Sequence, residues 1–235
     1  VFPEGTRSKT SEVHRFHKGA FFLSEELQMP ITPVYLHGNA EALPKGDFII
    51  YDGLGDIHVD EPIDPNDPQF GQGYAQRAKN IARYFKESYK QIRLQQEDEN
   101  YFKAKLFLNY LYKEGDILNQ VKLDFKKHKS LYYKLFSEIP DNAKIAHITS
   151  DLGQVDFLLV HQFAARKLRT LNINEEHRDI AKASFIVHKF HIQYVAQLDE
   201  MWNNQELLLL SSIPQIDLEI PTHIQKIIVL CADIS

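Results

Sequence analysis

The chain has 235 residues, a formal charge of -5 and 43% apolar residues, with 10 Gly, 10 Pro and a single cysteine, Cys231. This is the composition of a folded protein long enough for two modest domains, and it excludes a disordered or fibrous chain. The acidic balance gives no electrostatic basis for binding nucleic acid, one cysteine rules out a disulfide framework or a multi-cysteine zinc site, and no run approaches the roughly 20 apolar residues of a membrane-spanning helix.

In chain order, short apolar strands are predicted at Val1-Phe2, 31–36, 48–51 and 57–59, punctuated by Gly and Pro. Between the first two, Ala20, Phe21, Leu23 and Leu27 share one helical face over 18–28, so this region reads as a βαβ unit. Three prolines and two glycines mark 60–73 as a surface loop, and Ala75, Ala78, Ile81, Phe85, Tyr89 and Ile92 predict a helix over 74–96. The charged run 95–99 is read as the boundary of a first domain covering 1–98. Residues 99–140 are expected to be a helical bridge that ends at Pro140-Asp141. From 141 to 235 the pattern is strand 144–149, helix 155–167, strand 168–173, helix 175–188, strand 192–197, helix 203–210 and strand 226–231. That alternation is α/β, a doubly wound sheet. A chain that opens at Val1 inside a motif and stops four residues after an apolar strand reads as a piece cut at both ends, with this second sheet incomplete.

The most informative string is Val1-Phe2-Pro3-Glu4-Gly5-Thr6-Arg7-Ser8. A glycine that permits a tight turn, a hydroxyl, and an arginine whose planar fork can hold phosphate bidentately make a compact anion site, with Glu4 to fix Arg7 or a substrate hydroxyl. The bland alternative is a Glu4–Arg7 surface ion pair worth little. Phe2 to Ser8 resembles the acceptor-binding motif of the lysophospholipid and glycerol-phosphate acyltransferases. Arg15-Phe16-His17-Lys18-Gly19-Ala20-Phe21 resembles that family's following turn and helix start, and Pro30-Ile31-Thr32-Pro33-Val34 its proline-bearing strand, although the latter also suits a packing role.

The resemblance implies acceptor binding by Glu4, Gly5, Thr6 and Arg7, with Lys18 and Pro33 in support. It implies transfer from an acyl thioester, acyl-CoA or acyl-carrier protein, to a glycerol-phosphate or lysophospholipid-like acceptor, without cofactor or metal. The family's general base is a histidine oriented by an aspartate five positions later. None of the 11 histidines has an aspartate at that distance. The chain as given is therefore expected to be inactive in acyl transfer, the parent being the enzyme.

The element order from Lys144 resembles a class I S-adenosylmethionine-dependent methyltransferase, and the two modules together resemble the cytoplasmic end of bacterial lipid exporters that carry an acyltransferase and a methyltransferase. One register puts that family's glycine-turn positions on His147, Thr149, Asp151 and Gly153 and its ribose-binding acid on Asn172; another uses Asp151-Leu152-Gly153. Both leave an eroded cofactor site, Gly153 and Asn172, in which S-adenosylmethionine is not expected to bind. The alternatives to an acyltransferase part are a non-catalytic docking or regulatory module of a membrane exporter, and a methyltransferase. A cytoplasmic location is expected, with tethering through the parent at the inner face of the membrane.

Overall fold

The computed structural model describes residues 1–6, 12–39, 55–212 and 218–230. They fall into two units, Val1–Glu97 and Asp98–Ser235.

In the first unit, helix α1 (Gly19–Leu27) buries Phe21 and Ser24 and ends at Gln28 in the left-handed conformation, φ 49°. Strand β1 (Val34–His37) turns Tyr35 and His37 inward and pairs antiparallel with β2 (Asp56–Val59), Val34 opposite Val59 and Leu36 opposite Ile57. Pro33 has no N–H to donate, so the ladder upstream of β1 shrinks to an Ile31–Ile63 bridge. A 3-10 turn, Pro68–Phe70, leads into the 24-residue helix α2 (Gly73–Gln96). Buried Arg77 of α2 ties down the preceding loop by donating to the carbonyls of Asp64 (2.5 Å) and Asp67 (3.0 Å). Phe16, Phe21, Ile63, Phe70, Ala78 and Ile81 form the core.

The expected βαβ unit is not what forms here. Val1 and Phe2 are exposed and in no strand, because the chain reverses at once: the Gly5 amide donates to the Phe2 carbonyl at 3.1 Å. Pairing among the described strands of this unit is antiparallel, and the expected strand 48–51 lies outside the described residues.

The second unit begins with α3 (Lys103–Leu108) and α4 (Ile117–Glu138), then β3 (Lys144–Thr149), α5 (Gln154–Gln162), β4 (Lys167–Asn172), α6 (Glu175–Lys182) and α7 (Phe185–Phe190). It continues with β5 (Gln193–Val195), α8 (Leu198–Met201), β6 (Leu207–Leu210) and β7 (Lys226–Val229). The five strands are all parallel in the order β5-β4-β3-β6-β7, an order consistent with a doubly wound sheet. Ile145, Leu168, Leu207 and Leu209 face one core, which holds α3, α4 and α5; Ala146, Ile148, Leu171 and Leu208 face the other, with Met201. Residues 99–140, expected as a bridge, pack into the first of these cores through Phe102, Leu106, Phe125 and Leu135.

Three expected elements differ. The helix over 203–210 is instead coil followed by β6, whose Leu207, Leu208 and Leu209 are at most 4% exposed between β3 and β7. Four leucines suit a helix by propensity, but a strand buried on both faces reads as the same continuous apolar run. The helix over 155–167 stops at Gln162, and that over 175–188 breaks at Ser184, whose backbone is extended (ψ 137°).

Candidate functional site

The N-terminal turn is held by three backbone-centred bonds. Gly5 sits at φ +67°, and a Cβ there would lie 3.1 Å from the His17 ring, so glycine serves both the conformation and the close approach. The His17 amide donates to the Pro3 carbonyl at 2.7 Å, and the His14 amide donates to Glu4 Oε2 at 2.9 Å. Phe16, between them, anchors the pair of segments by packing against Phe21 and edge-on against Phe85 at 5.1 Å. Lys18 follows directly as the residue before α1, whose N-terminus has no side-chain cap and no acidic residue in its first turn. This leaves the positive end of the helix dipole beside the turn. Glu4, Gly5 and Lys18 are thus brought to one place. Thr6 is exposed, and Arg7 lies outside the described residues. Pro33 is buried in the β1–β2 region, its carbonyl accepting from the Asp60 amide at 3.0 Å.

In the second unit a crevice of about 320 Å³ opens where the sheet order reverses, at the carboxyl ends of β3, β6 and β7. Open α/β sheets take ligands at this position. Ser150, Asp151, His177, Ser211 and Ser212 line it, with Asp124 and Tyr132 from α4. Beneath the wall, fully buried His147 bonds through Nδ1 to Asp156 Oδ1 at 2.6 Å and through Nε2 to Ser211 Oγ at 2.8 Å. Burial alone would push the imidazole down, but the Asp156 charge and hydrogen bond, with Asp151 behind, hold His147 above its ordinary value. Ser150 Oγ and Ser212 Oγ bond to each other at 2.7 Å on the same wall.

Residues 1–37 match the Acyltransferase family model. The chain is 40% identical over 58 residues to a chloroplastic 1-acyl-sn-glycerol-3-phosphate acyltransferase of Brassica napus, covering 25% of this chain and 17% of that protein. It is 35% identical over 63 residues to a chloroplastic 1-acyl-sn-glycerol-3-phosphate acyltransferase of Arabidopsis thaliana, covering 26% of this chain and 18% of that one. The N-terminal segment is thus of acyltransferase type, and the chain spans less than a fifth of the length of these curated relatives.

The residues predicted for a cofactor in the second unit have other occupations. His147 and Thr149 lie inside β3 and not in the turn that follows it, which removes the first of the two registers. Gly153 is in the turn at φ +92°, but a Cβ there would meet Ala181 Cβ and the Tyr194 hydroxyl at 2.9 Å, so protein atoms already fill that space. Asn172 uses both ends of its amide locally, Nδ2 donating to the Asp151 carbonyl at 2.7 Å and Oδ1 accepting from the Asn174 amide at 3.0 Å. The His147, Asp156 and Ser211 set was missed by sequence reasoning. Its members are 9 and 55 positions apart in ordinary-looking segments, and only the crossover between β3 and β6 joins them.

Asp151 gives this crevice a pH dependence. Burial, reinforced by Asp156 and Asp124 against the pull of His147 and the Gly153 amide, raises its carboxyl to about 6. The unfolded chain releases this proton near 3.9, so its stabilising contribution is full below that pH and is lost as pH rises through 6. Asp151→Asn keeps an acceptor for the Gly153 amide, bonded at 2.7 Å, and removes the charge. Urea melts should show the variant more stable than wild type by about 1 to 2 kcal/mol at pH 8, a value discounted for partial solvent screening, and equal to it at pH 3.5. A difference independent of pH would contradict the assignment.

Proposed function

We propose that the first unit carries the acceptor-binding part of a phospholipid-type O-acyltransferase site, in which Gly5, Thr6 and Arg7 grip the phosphate of a glycerol phosphate or lysophospholipid and Glu4 fixes the loop or a substrate hydroxyl. The observation that supports this most is the match of residues 1–37 to the acyltransferase family, falling on a turn that backbone bonds tie to the segment leading into α1, whose N-terminus has no side-chain cap. Arg7 supplies the bidentate fork and Lys18 a second positive charge. An acyl-CoA or acyl-carrier protein thioester is the donor, and no cofactor is needed. None of the chain's 11 histidines is followed by an aspartate at the fifth position, so the general base belongs to another part of a larger protein acting at the cytoplasmic face of a membrane.

Titration of the ¹⁵N-labelled chain with sn-glycerol 3-phosphate should shift the Gly5 and Thr6 amides. Arg7→Lys should weaken that binding by roughly 10-fold or more, the loss of one charge-assisted hydrogen bond. Acyl-CoA turnover by the chain should stay at background. Unmoved Gly5 and Thr6 amides, or turnover well above background, would defeat the reading.

For the second unit we infer a methyltransferase-like module without a working S-adenosylmethionine site, of the kind joined to acyltransferases in bacterial lipid exporters. The local engagement of Asn172 supports this, because an amide tied down at both ends lacks the paired acceptor oxygens with which a carboxylate takes both ribose hydroxyls. In the same titration, sub-millimolar S-adenosylmethionine should leave the spectrum unchanged.

A further inference from the structure

The methyltransferase-like reading leaves the polar crevice of the second unit without a role, yet its wall is chemically organised. Asp156 accepts from His147 Nδ1–H, so the imidazole when neutral presents its Nε2 lone pair to Ser211 Oγ, 2.8 Å away, whose one proton can go there or to the Ile148 carbonyl at 3.4 Å. Three elements that meet only through the sheet supply these groups: α5 gives Asp156, β3 gives His147 and the end of β6 gives Ser211. A buried histidine needs two partners for its own sake, and one of the two here, Ser211, stands at the lip of the crevice where a substrate can reach it. Ser211 is partly exposed there, while the two groups behind it are fully buried. Serine, base and orienting carboxylate in series are the parts that convert a weak hydroxyl nucleophile into an active one.

We propose that Ser211, His147 and Asp156 form a relay that makes Ser211 a nucleophile toward small uncharged carboxylic esters entering the switch-point crevice. Ser211 Oγ bonds to the ester carbonyl carbon while its proton passes to His147 Nε2. The bond from that carbon to the alcohol oxygen then breaks, and the proton leaves with the alcohol. Water attacks the acyl-serine, giving a proton to His147; the carboxylic acid departs as Ser211 regains its proton. The Ser150 and Ser212 hydroxyls, bonded to one another on the same wall, are the donors available to the tetrahedral oxyanion. Asp156 is a positioning residue and touches no substrate. The crevice volume of about 320 Å³ suits an acyl group of a few carbons, and the Asp124 and Asp151 carboxylates in its lining oppose an anionic substrate. This inference rests on the relay geometry alone, so it stands or falls separately from the acyltransferase reading.

The test is covalent labelling of the folded full chain by a fluorophosphonate, with the adduct located by peptide mass analysis and 4-nitrophenyl acetate as the turnover substrate. One adduct is expected, on Ser211, with none in Ser211→Ala; Ser212→Ala, which removes a hydroxyl from the oxyanion donors, should slow labelling while the adduct stays on Ser211. Asp156→Asn should slow labelling by about 10²- to 10⁴-fold, as expected when the imidazole loses its orienting acceptor. The charges acting on His147 are Asp156 from α5 and Asp151 from the turn after β3. Tyr110, Tyr132 and Tyr194, which face those carboxylates, are pushed far up and stay neutral. The wild-type labelling rate should therefore rise with pH, its main step above the ordinary imidazole value and its acid side shaped by Asp151, which titrates at about 6, a profile that a structural network would not produce. Should Asp156→Asn fail to fold, the wild-type adduct position and pH profile still decide. No adduct on Ser211, or labelling shared equally among Ser150, Ser211 and Ser212, overturns the proposal.

Discussion

Replacing Arg166 with methionine should destabilise the Asp98–Ser235 unit by about 2 to 4 kcal/mol, the cost of buried acceptors that lose their guanidinium donor. The side chain is 1% exposed, and its guanidinium is shared between the ends of two helices. Nε donates to the Pro140 carbonyl at 3.1 Å and Nη2 to that of Ile139 at 2.6 Å, just past α4, with Phe136 at 3.4 Å. Nη1 donates to the Leu159 carbonyl at 3.2 Å and to Gln162 Oε1 at 2.7 Å in the last turn of α5. Two of these carbonyls have a second donor, Leu159 from the Phe163 amide at 3.2 Å and Pro140 from the Ala143 amide at 3.3 Å, whereas those of Ile139 and Phe136, at the carboxyl end of α4, face the guanidinium at the negative end of the helix dipole. Methionine fills the volume but withdraws the donor from Ile139 and from Gln162 Oε1, and a buried acceptor left without one costs roughly 1 to 3 kcal/mol when water cannot reach it. Urea unfolding followed by the helical signal should show a lower midpoint. Arg166→Lys should recover less than half of the loss, because one ammonium cannot span both helix ends. A loss under about 1 kcal/mol would mean that water replaces the guanidinium without difficulty.

Arg166 also shows where the sequence stops being readable. The apolar pattern over 155–167 continues smoothly through it, so a single helix is the natural reading, whereas α5 ends at Gln162 and Arg166 folds back over the Phe163 ring at 4.9 Å. The alternation of strands and helices from Lys144 onward was legible because β3 carries Ile145, Ala146 and Ile148 and β4 carries Leu168 and Leu171, each between polar turns. The nature of β6 was not. Leu207–Leu210 carries no local signal separating strand from helix, and the ladder to Ile145–Ile148 decides it. At the N-terminal turn, the residue types of Glu4 and Gly5 pointed to a compact loop, which the Gly5 to Phe2 bond makes; the bond from the His14 amide to Glu4 had no signature of its own. The crevice of the second unit was illegible for a topological reason. Asp156, His147 and Ser211 become neighbours only when β6 lies beside β3, and nothing in a linear pattern states that adjacency.

The largest effect expected in the first unit comes from Glu97, which sits in a run of charges that reads as a solvated boundary but is 4% exposed. Its carboxylate takes a bidentate pair from Arg93, Nε to Oε1 at 2.6 Å and Nη2 to Oε2 at 3.0 Å, and meets His37 Nε2 from β1 at 3.3 Å. Arg93 and His37 are as deeply buried as Glu97. An exposed pair such as Lys144–Glu206, 3.3 Å apart with side chains 37% and 48% exposed, contributes about 0 to 1 kcal/mol. For Glu97 the arithmetic differs, since removing it takes the bidentate counter-charge from a guanidinium that is 3% exposed. Glu97→Ala should cost about 3 to 5 kcal/mol. Hydrogen exchange should show the loss in α2 and β1, with β3 and β4 of the other unit unchanged. The double variant Arg93→Met/Glu97→Leu should recover most of it, because an apolar pair of similar volume avoids the desolvation that the ion pair only offsets. If the double variant is as unstable as Glu97→Ala, the pair contributes through its geometry and not through charge balance; if Glu97→Ala is itself near neutral, water reaches Arg93 and the burial of this network is shallower than the structure indicates.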